Sequence, residues 1–188
     1  SALSLAPACD AGAQGDAGRV SSSIAVLASG DVAVVNPDQG SVSLLDPSSL
    51  AVRATIDVGG EPHALLELAS GEVLVANGRA GEVVAIYPTS ARVVTRASVC
   101  AGPYGLAESP DRAWVAVTCE WDGSVRRVDP ATLASSGLAR GFRRPRAVAI
   151  VASDVWVADW VGGVVHDLDA AGVDHAVSLV PASASRPA

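Results

Sequence analysis

The sequence predicts an all-β protein: a β-propeller built of four-stranded antiparallel blades, each about 41 residues long. Three observations carry that expectation. The chain repeats itself, and one anchor closes a short apolar strand at Asn36, Asn77, Thr118 and Asp159, each 41 residues after the last. A second anchor ends the next strand in a turn, at Leu45-Asp46-Pro47, Ile86-Tyr87-Pro88, Val128-Asp129-Pro130 and Leu168-Asp169-Ala170. A third precedes each new unit, at Gly60-Glu61-Pro62, Gly102-Pro103-Tyr104 and Arg144-Pro145-Arg146. Helical periodicity is weak throughout, and no segment joins a good cap to ten periodic residues.

The elements follow in order. Residues 1–23 read as a signal remnant and flexible leader, because they are small and polar. Ala6-Pro7-Ala8 fits the small-x-small rule for signal cleavage, which places the cut before Cys9. Cys9 also resembles the lipid-attachment cysteine of bacterial lipoproteins, although Ala6 stands where such sites usually carry Leu or Val. Blades are expected at about 24–61, 62–102, 103–144 and 145–180, and 181–188 reads as a tail or linker. Within the first unit the strands read 24–28, 31–36, 41–46 and 51–58, separated by turns rich in Gly, Pro, Asp and Ser. Second strands such as Val32–Val35, Val73–Ala76 and Val155–Ala158 are apolar on both faces. A strand of that kind needs cover on both sides, which neighbouring blades provide.

The pattern strand-Asn, Gly-x-Val-x-x-Asp-Pro, Val-Gly-x-x-Pro resembles the YVTN-type repeat of bacterial exported β-propellers. The name-giving tetrapeptide survives in degenerate form at Ala33–Asn36, Leu74–Asn77 and Val115–Thr118. The fourth unit, Val155–Asp159, is also similar to repeats of the NHL and streptogramin-lyase propellers. The resemblance implies an exported protein, in the bacterial periplasm, anchored to the outer membrane or on the cell surface. It implies no single activity, since the family includes stand-alone surface proteins and propellers joined to di-haem cytochromes. This sequence has no Cys-x-x-Cys-His haem motif.

Four units leave the closure of the ring open. The chain is a fragment of a larger propeller, or half of a homodimer whose two chains complete the ring, or a closed four-bladed ring. The absence of Met favours the fragment.

Blade topology gathers loops on one face, and eight residues there are the candidate ligand or partner contacts. His63, Tyr104 and Arg146 share one repeat position, just after the Pro, where the innermost strand begins. Asn36, Asn77 and Asp159 close second strands, and Trp121 and Trp160 lie in the loops beyond. Varied polar and aromatic side chains on a rigid scaffold suit recognition of a protein, peptide or glycan. Trp114 and Trp156, inside second strands, are expected in the core between blades. Cys100 and Cys119 fall on neighbouring strands of one hairpin, so a disulfide is expected there.

Other functions find little support. A net charge of −7, with 13 Arg and no Lys, argues against a nucleic-acid binder. No apolar run is long enough for a membrane-spanning helix. His63, His166 and His175 have no zinc-ligand spacing, and Asp167–Gly172 lacks the ligands of a calcium loop, so neither metal nor cofactor is expected. No nucleophile elbow or phosphate loop is present, and no catalytic residue is assigned. The leading expectation is a non-enzymatic exported binding scaffold. The alternative is the propeller part of an envelope redox or lyase-type enzyme whose catalytic part lies elsewhere.

Overall fold

The computed structural model describes residues 18–161, 163–169 and 173–179. Cys9, most of the leader and the 181–188 tail lie outside the described residues.

Among the described residues sixteen strands form four antiparallel sheets, each of four strands consecutive in sequence. The first sheet holds β1 (Ile24–Val26), β2 (Val32–Asn36), β3 (Ser41–Leu45) and β4 (Val52–Asp57). The second holds β5 (Pro62–Glu67), β6 (Val73–Asn77), β7 (Glu82–Tyr87) and β8 (Arg92–Ser98). The third holds β9 (Pro103–Glu108), β10 (Val115–Cys119), β11 (Ser124–Val128) and β12 (Ser135–Arg140). The fourth holds β13 (Pro145–Val151), β14 (Asp154–Asp159), β15 (Val164–Leu168) and β16 (Val177–Ser178). Among the described residues the only helical element is a 3-10 turn at Pro37–Gln39.

The chain meanders outward through each sheet because its connections are tight turns with their own chemistry. The Asp46 carboxylate accepts the Ser48 and Ser49 N–H groups at 2.8 and 2.9 Å, and Asp129 accepts those of Ala131 and Thr132, both at 2.9 Å. These backbone bonds hold both carboxyls below the usual carboxylate range. Leu50 and Leu133 then take the left-handed conformation, with φ of 57° at each. In the second sheet Tyr87 replaces the aspartate, and that turn lacks the carboxylate clasp.

The innermost strands of successive sheets lie side by side, β1 by β5, β5 by β9 and β9 by β13. Three apolar cores fill the gaps between sheets. Ala33, Val35, Val42 and Leu44 pack on Leu65, Val73, Val75 and Ile86. Leu66, Leu74, Ala76 and Val83 pack on Leu106, Val115, Val117 and Val128. Ala107, Ala116 and Val125 pack on Val148, Ile150, Val155, Val157 and Leu168. Each blade therefore offers one face forward and one backward. Among the described residues the two end sheets each keep a face without such a core.

Residues 18–23 cross the inner strands of three blades. Ser22 bridges Leu65, Val20 bridges Ala107, and the Gly18 N–H reaches the Ile150 carbonyl at 2.8 Å. Gly18 is required there, since a Cβ would collide with the Glu108 carbonyl oxygen.

Candidate functional site

The site begins with a local irregularity repeated in three blades. Innermost strands β5, β9 and β13 each pair with the second strand through a register shift just after the proline, at His63, at Tyr104–Gly105 and at Arg146. A bulge places an extra residue on one strand and re-aims its side chain. Repetition brings the three side chains together where the innermost strands adjoin.

They form a ladder. The His63 and Tyr104 rings stack with centroids 4.6 Å apart and planes 23° from parallel. The Arg146 guanidinium carbon lies 4.9 Å from the Tyr104 centroid and 4.8 Å from that of Trp160. The cation thus lies over two aromatic rings, which attract it through their quadrupoles. Its in-plane anchor is Glu120, whose Oε1 accepts the Nε and Nη2 N–H groups at 3.0 and 2.8 Å. Glu120 is only 5% exposed, and its charge is met by Arg146 and by Arg144 at 3.5 Å. Without those partners such a carboxylate would be costly to bury.

Thr118 sets the spacing. Its Oγ1 accepts the Gly105 N–H at 2.8 Å and donates to the Arg146 carbonyl at 3.0 Å, clamping β9 to β13. Gly105 permits this approach, since a Cβ there would collide with the Arg146 carbonyl oxygen.

The ladder forms one wall of a cleft of about 630 Å³. Trp156, Ala149, Ala158 and Val165 of the fourth sheet form another, and Ser21, Ser22 and Ser23 border it. Trp156 corrects an expectation: it is 37% exposed and lines this cleft, because its face packs on no further sheet among the described residues. Trp114 is partly buried against the third core, with Arg127 4.6 Å over its ring.

The remaining candidates divide by what their polar atoms do. Asn77 is fully buried; it donates to the Val58 and Gly59 carbonyls at 3.0 and 2.8 Å and accepts the Glu61 N–H at 2.7 Å. Asp159 accepts the Arg143 and Arg144 N–H groups at 2.7 and 3.0 Å. Asn36 donates to the Ser41 and Ser43 hydroxyls at 3.1 and 2.9 Å. Asn77 and Asp159 thus fasten interblade connections, while Asn36 braces the neighbouring strand. All three lie outside the lining of the cleft. Trp121 is half exposed and rests against Gly102, also outside the cleft. The structure brings together His63, Tyr104, Arg146 and Trp160.

Sequence reasoning did not assign Thr118 to the site, and it placed Glu120 in a loop of the candidate face without making it a contact. The signal for Thr118 was its place in the anchor series, where Asn or Asp otherwise stands.

Cys100 and Cys119 are joined by a disulfide with a Cα separation of 6.0 Å. Among the described residues no group of His, Cys, Asp and Glu is arranged to hold a metal ion, and no helix is long and apolar enough to cross a membrane.

No family model and no curated protein matches the chain. Solved structures do. Virginiamycin B lyase from Staphylococcus aureus is 13% identical with a TM-score of 0.69, over 86% of this chain and 56% of that one. Kuenenia stuttgartiensis hydrazine synthase is 17% identical with a TM-score of 0.64, over 82% of this chain and 48% of that one. A structure of the nidogen/laminin complex is 14% identical with a TM-score of 0.64, over 77% and 57%. The chain thus spans about half the length of these relatives. At such identities the likeness speaks for fold and not for activity. These neighbours are β-propellers, and the four sheets of this chain are propeller blades.

Proposed function

We propose that this chain is a binding scaffold, an exported β-propeller of the YVTN type whose ligand site is the cleft walled by His63, Tyr104, Arg146 and Trp160. The observation that carries the reading is the bulge repeated at one position of three blades. It sends chemically different side chains to one place, whereas a purely structural position would keep one residue type. The site belongs to no single loop, so its geometry is as rigid as the packing of the blades.

The Cys100–Cys119 bond supports an oxidising compartment, in keeping with an envelope or cell-surface location. Cys9, as a lipid anchor, belongs to the same reading. The partner class is protein, peptide or glycan, bound without chemistry.

The test is capture on peptide and glycan arrays. Wild-type chain is compared with a His63→Ala, Tyr104→Ala, Trp160→Ala variant whose thermal unfolding midpoint is measured in parallel. Array signals lost by a variant that still unfolds cooperatively support the reading, and signals unchanged in the triple variant overturn it. Turnover of a bound array member would favour an enzymatic propeller instead.

A further inference from the structure

We infer that the cleft selects a carboxylate carried on an aromatic body, and that Arg146 reads the carboxylate. The inference rests on the binding reading above and deepens it.

The geometry of one guanidinium carries the argument. Its carbon lies 4.9 Å from the Tyr104 ring centroid and 4.8 Å from that of Trp160. A guanidinium donates hydrogen bonds only in its own plane, through its edges. Glu120 takes the Nε–Nη2 edge through a single oxygen. The Nη1–Nη2 edge meets no acceptor among the described residues, and the side chain is 28% exposed toward the cleft. Two parallel N–H groups in a fixed plane match the two oxygens of a carboxylate, in the fork-to-fork geometry that guanidinium favours.

Charge agrees with shape. Among the residues that line the cleft Arg146 carries a positive charge and none carries a carboxylate. The rest of the lining selects the body of the ligand. Trp160 is 68% exposed, Trp156 is 37% exposed, and small side chains at Ala147, Ala149 and Ala158 leave room for a planar ring. Ser21, Ser22 and Ser23 supply hydroxyls at the opposite border. The pre-stacked cation loses little freedom on binding, so recognition costs little ordering.

Two sources offer this chemistry: a small aromatic acid, and the free C-terminus of a peptide ending in an aromatic residue. Calorimetric titration of the full chain uses matched pairs, 2-naphthoate against 2-naphthamide, and acetyl-Gly-Gly-Trp as free acid against its amide. The expected result is a preference of about tenfold or more for the acid in at least one pair. Preference in the first pair alone identifies a small acid, and preference in the second pair identifies a peptide terminus. Arg146→Gln should bring acid and amide to equal affinity. Arg146→Lys, which keeps the charge and loses the fork, should lose most of the discrimination and guards against misfolding of the first variant. Trp160→Ala should weaken acid and amide by the same factor.

Equal affinity for acid and amide in wild-type chain overturns the inference, as does preference retained by a folded Arg146→Gln. So does the absence of binding by all four probes at millimolar concentration. Array capture that depends on the ladder while acids and amides bind alike overturns the carboxylate inference and leaves the binding reading standing.

Discussion

The two middle blades and the two end blades use the same strand sequence in different surroundings. Val73–Asn77 and Val115–Cys119 are buried at every position, whereas Val32–Asn36 and Asp154–Asp159 are buried only at alternate ones. Val34, Val75, Val117 and Val157 occupy one repeat position. Val75, Val117 and Val157 are completely buried, while Val34 is only partly so. The free face of the first blade is the backward face that each later blade packs on its predecessor. The free face of the fourth, with Trp156, Ala158 and Val165, is the forward face. The difference teaches that a strand apolar on both sides states a demand for two neighbours, and that the order of blades decides which strands receive them.

The largest expected effect breaks that comparison directly. Val117→Asp leaves a charge buried between two blades and should cost about 3–5 kcal/mol, enough to abolish cooperative folding, by the mechanisms that make buried unpaired groups severe. Val34→Asp, the same substitution one end blade away, should cost about 1 kcal/mol or less. Urea unfolding midpoints decide between them. Equal losses would mean that the first blade's free face is covered in solution, and a concentration-dependent midpoint would identify a second copy of the chain as the cover.

Next in size is the disulfide that staples the third blade to the connection before it. Cys100→Ser with Cys119→Ser should lower stability by about 3 kcal/mol in the chain-entropy model, read as a fall in the thermal midpoint. A midpoint that does not move would show that packing of the middle blades alone fixes this connection.

A smaller contrast concerns the strand-closing polar residues. Asn77→Ala removes three hydrogen bonds from a buried site and should cost about 1–3 kcal/mol, because backbone groups are left unsatisfied. Asn36→Ala, whose amide reaches only two serine hydroxyls, should cost about 1 kcal/mol or less. Hydrogen exchange at the Glu61 amide, whose N–H Asn77 accepts, measures the first. A faster exchange confined to the 58–61 connection is the expected signature.

The smallest effect is the acid response of the turn aspartates. Asp46 and Asp129 have folded pKa values lowered from 3.8 by backbone hydrogen bonds, to Ser49 and to Thr132 first. A lowered folded pKa means stability present above the unfolded value and lost as pH falls through the folded one. The Asp46→Ala, Asp129→Ala variant should therefore show a shallower loss of stability below pH 3.8 than wild type, with the difference read from acid unfolding curves. The second blade, with Tyr87 at that position, contributes nothing to this response.

The period of 41 residues, the strands and the turn chemistry were legible because they depend on neighbours a few residues away. The first-blade strands fall within a few residues of their expected limits, as Ile24–Val26, Val32–Asn36, Ser41–Leu45 and Val52–Asp57. His63, Tyr104 and Arg146 were legible as a set because they share a repeat position. Their stacking order was not, since it depends on a bulge and on how closely two blades approach. Trp156 shows the limit most plainly. Its sequence neighbourhood is that of a core strand, but among the described residues its face packs on no further sheet and lines the cleft instead.

By itself the sequence determined the repeating unit, its four strands and the position within each unit from which side chains reach the centre. Those features follow from local periodicity and turn residues, which act within a single blade. The tertiary structure decided which of those side chains meet: a guanidinium over two rings from different blades, tethered to a buried carboxylate. Contacts of that kind join residues 14 to 42 positions apart, and their geometry is fixed only when the blades pack.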